Sequence, residues 1–86
     1  MTEADVNRRL GQRIRLLRCL ADLSQAQLAR RVFMSRPSIA KIELGHQGIT
    51  AWMLFKLSAA LCVPTHIWLY EEQDWLRYPL TERNER

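Results

Sequence analysis

Among the cysteines and histidines of this 86-residue chain, Cys19, His46, Cys62 and His66 are the side chains that could ligate a metal or pair as nucleophile and base. Cys62 and His66 stand four apart, a ligand spacing on a continuous helix, but Pro64 lies between them and interrupts any such helix. Only Cys19 and His46 remain to complete a site, and no oxyanion-hole motif or Gly-rich phosphate loop accompanies them. So short a chain also encloses little volume for a substrate. The expectation is a protein that is not an enzyme, with no metal, no cofactor and no small-molecule ligand. The two cysteines lie in separate apolar-patterned segments without a Cys-x-x-Cys pair, so they read as reduced, buried thiols rather than a disulfide framework.

Cationic chemistry is better supplied. Thirteen basic residues, eleven Arg and two Lys, stand against nine acids for a formal charge of +4, and that total hides an uneven distribution. Residues 8–56 hold ten Lys/Arg against Asp22 and Glu43, a net +8, while the segments on either side each carry −2. A compact basic segment is an electrostatic footprint for a polyanion, and the planar guanidinium suits bidentate contacts. A solvated helix face would account for the same charges, so the choice falls to the elements that position them.

Those elements are helical. Three Pro, three Gly and no Asn-Gly or Asp-Gly turn, against thirteen Leu and eight Ala, argue for an all-α domain without sheet. Val6, Leu10, Ile14, Leu17 and Ala21 recur at helical spacing and place a first helix over roughly residues 5–21. Ser24 and Gln27 form a capping box for a short second helix with Leu28, Ala29 and Val32 inward. Ser35 caps a third, Pro37 fits its first turn, Ile39 and Ile42 face inward, and Gly45 supplies a left-handed stop. Thr50 caps a fourth with Leu54, Leu57 and Leu61 inward, and Trp52 at its start reads as core. Pro64 ends that helix, and a fifth apolar-rich segment runs from Thr65 to about Tyr78, ahead of Pro79 and a tail, residues 81–86, expected to be disordered. The most continuous apolar stretch, Ile49 to Phe55, is far short of the 18 or so residues of a membrane span. The acidic N-terminus has no apolar region behind it, which predicts a cytoplasmic protein.

Two short helices joined by about three residues describe a helix-turn-helix. The chain's third helix exposes polar groups at its start, and Arg36 and Lys41 on that face can reach guanine O6 and N7 in a major groove. The run Ser24-Gln25-Ala26-Gln27-Leu28-Ala29-Arg30-Arg31-Val32, followed by Ser35, Ser38, Ile39, Ile42, Glu43 and Gly45, closely resembles the Cro-type phage-repressor (XRE) helix-turn-helix family. The resemblance continues through Leu54 to Val63 and covers about Leu10 to Leu69. It implies a compact, five-helix, lambda-repressor-like DNA-binding domain with the helix-turn-helix at helices 2 and 3. It further implies base reading by Arg36, Pro37 and Lys41, phosphate contacts from Gln25, Ser35, Ser38, His46 and Gln47, and a structural ion pair between Arg18 and Glu43. Pro37 departs from the pattern, since its ring can make only apolar contact and leaves readout there loose. Phe33 also departs, standing where the family has Gly at a positive-φ turn; a Phe there costs about 1 kcal/mol or more in strain, which predicts a shifted turn or a ring packed in compensation.

Ile67, Trp68, Tyr70, Glu71, Trp75 and Leu76 belong to an apolar stretch longer than one short helix needs for its own burial, and we read them as a dimer interface; Trp68 and Leu69 can also complete the core, with the first turn buried inward and the later turns meeting a partner. The expected organisation is a single domain over residues 1–80 with a dimerisation segment at 65–78. The function implied is sequence-specific binding of a two-fold double-stranded DNA operator by a homodimer, acting as a transcriptional regulator with repression as the default. Two other readings stay open: an antitoxin-like module that neutralises a protein partner and autoregulates its operon, and a core that has lost DNA binding and serves as a scaffold.

Overall fold

In the computed structural model, which describes residues 2–69, the first helix, α1 (Glu3–Leu20), starts earlier than its apolar periodicity predicts because Thr2 caps it. The Asp5 backbone N–H donates to Thr2 Oγ1 at 3.1 Å and the Thr2 N–H donates to Asp5 Oδ2 at 2.9 Å, a reciprocal capping box. The Thr2 N–H, then its hydroxyl, and the nearby Arg8 and Arg9 hold the Asp5 carboxyl below the usual carboxylate range. The helices α2 (Gln25–Arg31), α3 (Arg36–Glu43) and α4 (Ala51–Leu61) open on Ser24, Ser35 and Thr50, the three caps read from the sequence.

All four helices stop the same way. Each is followed by a left-handed residue, Asp22, Phe33, Gly45 or Cys62, with φ between 56° and 78°. Paired backbone bonds close each turn, as in Gly45 N–H to Ile42 O at 3.0 Å and His46 N–H to Lys41 O at 2.9 Å, the arrangement that satisfies a helix's last carbonyls. After three of the stops the chain returns an apolar side chain to the core or its edge: Leu23, Met34 and Val63.

The core is built from Ile14 and Leu17 of α1, Leu28 and Ala29 of α2 with Val32, Ile39 and Ile42 of α3, and Leu57 and Leu61 of α4. The tightest crossing lies between α1 and α3. A Cβ on Gly11 would stand 2.2 Å from the Ile42 carbonyl oxygen and 2.8 Å from that of Glu43, so only a glycine lets these two backbones approach.

Several expectations are corrected. The segment after Pro64 is, over its described part, a 3-10 turn (Thr65–Leu69) rather than the start of a fifth α-helix. Ile67 and Trp68, assigned to a dimer interface, are closed into the core of one chain. The Trp68 indole N–H donates to Ser58 Oγ at 2.8 Å and the Arg13 guanidinium donates to the Trp68 carbonyl at 2.6 Å, which ties the turn to α4 and α1. Tyr70, Glu71, Trp75, Leu76 and the tail 81–86 lie outside the described residues.

Val6 is exposed rather than inward, and so is Trp52 at 68%, because α4 turns Leu57 and Leu61 to the core and leaves Trp52 and Phe55 on its outer side. The Lys56 ammonium sits 5.9 Å from the Trp52 ring centre and donates to the Val32 carbonyl at 3.1 Å. Both cysteines are free thiols but exposed, not buried: Cys19 lies off the inward stripe of α1 and Cys62 occupies the left-handed stop of α4. No helix among the described residues is long and apolar enough to cross a membrane.

Candidate nucleic-acid interface

Between Ser24 and Gln47 the chain has four basic residues, Arg30, Arg31, Arg36 and Lys41, and one acid, Glu43. Folding removes that acid from the surface. Glu43 is 7% exposed at the end of α3, where its carboxylate accepts from Arg18 Nε at 2.6 Å and from Arg18 Nη2 at 3.0 Å. Arg18 also donates from Nη1 to the Leu23 carbonyl at 2.8 Å, anchoring the turn that enters α2. The bond to Glu43 raises the Arg18 pKa, so this guanidinium stays charged at every accessible pH. Arg18 and Glu43 therefore meet as a bidentate pair between α1 and α3, and the outer face of the helix-turn-helix carries positive charge alone.

The starts of α2 and α3 are brought together. Ser24 caps α2 by accepting from the Gln27 N–H at 3.0 Å, while Gln27 Oε1 accepts from the Ser24 N–H at 2.8 Å. Ser35 caps α3 by accepting from the Ser38 N–H at 3.2 Å, and the two hydroxyls of Ser35 and Ser38 are 2.9 Å apart. Pro37 lies in the first turn of α3, where its missing N–H costs no intrahelical bond. Gln25, the first residue of α2, accepts at Oε1 from Arg36 Nη1 at 2.9 Å, and Arg36 is the first residue of α3. Its Nε2 donates to Glu43 Oε1 at 3.1 Å.

Arg36, Pro37 and Lys41 are all exposed on α3, as is Ser35 at its cap. Ser38 and Gln25 are half-buried. After α3, Gly45 turns the chain at φ 78° beside the Arg8 backbone, and the loop presents His46 exposed and Gln47 half-buried. The structure thus gathers Gln25, Ser35, Arg36, Pro37 and Ser38 at one end of the motif, with Lys41 farther along α3 and His46 and Gln47 beyond its C-terminus. No group of three or more His, Cys, Asp or Glu among the described residues is placed to hold a metal.

Phe33 is the second correction of consequence. The turn is not shifted, since Phe33 keeps φ 58° and its N–H bonds the Arg30 carbonyl at 3.4 Å, and the ring is not packed, since the residue is 90% exposed. Met34, not Phe33, occupies the position that folds back on the core. Sequence reasoning missed three features: the Gln25–Arg36 contact, the glycine at the α1–α3 crossing, and the role of Arg13. The signal for the first was the polar residue opening each helix of the motif; the other two had none.

The chain matches the helix-turn-helix family HTH_3 over residues 14–68. It is 41% identical over 59 residues to an uncharacterized transcriptional regulator in the ATPase CF(0) region of Rhodospirillum rubrum, which spans 69% of this chain and 55% of that protein. The chain thus spans about half the length of that curated relative. Among solved structures it is similar to the restriction-modification controller protein C.AhdI from Aeromonas hydrophila, with a TM-score of 0.70 and 31% identity over 76% of this chain and 97% of that one. It is also similar to the hypothetical transcription factor NHTF from Neisseria, with a TM-score of 0.77 and 28% identity over 92% and 91% of the two chains.

Proposed function

The chain belongs to the helix-turn-helix family HTH_3, of the XRE type, and from that membership we propose that it binds duplex DNA sequence-specifically and regulates transcription, by default as a repressor that occludes a promoter. The observation that carries this reading is the exposed basic start of α3, with Arg36 beside the N-terminus of α2 and Glu43, the one acid between Ser24 and Gln47, paired with Arg18 inside the fold. Arg36 and Lys41 supply donors for base edges, and Pro37 supplies an apolar contact. Gln25, Ser35, Ser38, His46 and Gln47 hold backbone phosphates and fix the register.

A single recognition helix selects only a few base pairs, so the protein acts as a homodimer on a two-fold operator. We assign the contact to Tyr70, Glu71, Trp75 and Leu76, of which Tyr70 and Trp75 are aromatic side chains of the kind enriched at interface centres. The relatives named as a transcriptional regulator and a restriction-modification controller support regulation as the task.

Titration of the intact chain against duplex DNA over a series of salt concentrations tests the proposal. With about six phosphates neutralised per dimer, log K against log[salt] falls with a slope of about −5. A slope near zero removes the electrostatic basis of the reading.

A further inference from the structure

The Gln25 side chain lies between two groups that can each play only one part in a hydrogen bond. The Glu43 carboxylate only accepts, and the Arg36 guanidinium only donates. Gln25 must therefore turn Nε2 toward Glu43 Oε1, at 3.1 Å, and Oε1 toward Arg36 Nη1, at 2.9 Å; a flipped amide would set oxygen against carboxylate and N–H against guanidinium. The carboxylate is itself fixed by two bonds from Arg18, and Arg18 by the Leu23 carbonyl. The result is one continuous chain of hydrogen bonds that converges on the Glu43 carboxylate, with Arg36 donating to Gln25 and Gln25 to Glu43 on one side and Arg18 donating on the other, and it links a buried ion pair at the α1–α3 crossing to an exposed guanidinium at the tip of the motif.

We propose that Glu43 is a positioning residue for DNA sequence readout, setting the orientation of the Gln25 amide and through it the rotamer of Arg36. This rests on the reading of Arg36 as a base contact. The bond to Gln25 uses one of the five guanidinium N–H donors, which leaves the Nη2–Nε edge of the fork for a bidentate contact with a guanine. An arginine held in one arrangement before binding loses less side-chain entropy when it docks. The fork is also held to one register, so a wrong base meets a guanidinium that cannot readily rearrange.

The test compares the intact protein with Glu43→Gln on the preferred duplex and on duplexes changed at the base pair that Arg36→Ala identifies. A glutamine at 43 can donate as well as accept, so it no longer dictates the Gln25 amide. Discrimination at that base pair should fall about tenfold while affinity for random-sequence DNA holds, and the loss should vanish when Arg36→Ala is already present. Arg18→Lys keeps the buried charge and the acceptor at 43; it should lower the melting temperature yet retain discrimination, which shows that the loss in Glu43→Gln is not a mere consequence of a weakened ion pair, whereas an equal loss in both variants overturns the inference. Unchanged discrimination in folded Glu43→Gln, or a loss that persists without Arg36, overturns the inference. If Arg36→Ala itself leaves discrimination intact, the assignment of Arg36 as a base reader fails first, and that is a separate result.

Should Glu43→Gln not fold, the parent protein answers by NMR. A relay predicts a Gln25 side-chain amide with two distinct, slowly exchanging protons that shift in Arg36→Ala. A freely averaging amide overturns it.

Discussion

Arg36 and Lys41 are both cations on the exposed face of α3, but they should not behave alike. Arg36→Ala removes a planar fork and should cost about 1–3 kcal/mol on the preferred duplex and much less on random DNA, measured by competition binding. Lys41→Ala should show the same pattern more weakly, since an ammonium lacks the bidentate geometry; equal losses on both DNAs would make either residue a phosphate contact. Phe33 offers a stability test at the same scale. Its left-handed φ costs about 1–2 kcal/mol for a residue with a Cβ, the exposed ring contributes no packing to offset it, and glycine's own entropy cost is about 0.5–1 kcal/mol. Phe33→Gly should therefore leave stability unchanged or raise it by up to about 1.5 kcal/mol in thermal denaturation; a clear loss would mean the ring has a packing role. The left-handed position of Phe33 was legible only through the family resemblance, which places glycine there, because a phenylalanine carries no local mark of positive φ; the expected shift of the turn did not occur. The fate of the ring was not legible, because exposure depends on what neighbouring helices leave uncovered.

Three of the four helix starts were legible because they are set by local side-chain-to-backbone chemistry. Ser24, Ser35 and Thr50 each accept from a backbone N–H three residues on, and that bond needs no tertiary partner. The fifth helix was not legible, because an apolar run after Pro64 carries no mark of whether it continues as a helix or folds over α4. Its described part does the latter, held by Trp68 on Ser58 and by Arg13 from α1. Gly11 was equally silent, since nothing in its own neighbourhood shows that α3 crosses there. Gly11→Ala should destabilise by at least about 1–3 kcal/mol, because the new Cβ meets carbonyl groups rather than a side chain that can swing aside; a full-stability variant would contradict the close crossing.

Acid should loosen the start of α1. The Asp5 carboxyl is depressed in the folded state by the Thr2 backbone bond above all, so its contribution is complete above the ordinary Asp value of about 3.9 and is lost as pH falls through the lower folded value. Amide exchange in the first turn should rise over that range, and Asp5→Asn should abolish the pH dependence; a first turn indifferent to both would remove the capping box from the account.

For the whole molecule, the charge asymmetry visible in the sequence and the helix-turn-helix spacing pointed to a basic surface on the motif, and the fold withdraws Glu43 from that surface. Assembly was less legible, because an apolar residue near the chain's end can serve its own core or a second copy with the same composition. Ile67 and Trp68 serve the core. Trp75→Glu should lower the molecular mass found by sedimentation at micromolar concentration while circular dichroism keeps its helical signal; if it stays dimeric and Trp52→Glu does not, the contact runs through the outer face of α4. The most direct measurement is selection of bound duplexes from a random-sequence pool by the intact chain. A two-fold symmetric sequence with half-sites centred about one helical turn apart should be enriched. A pool that returns no shared sequence, from a protein that still binds DNA, would contradict sequence-specific binding.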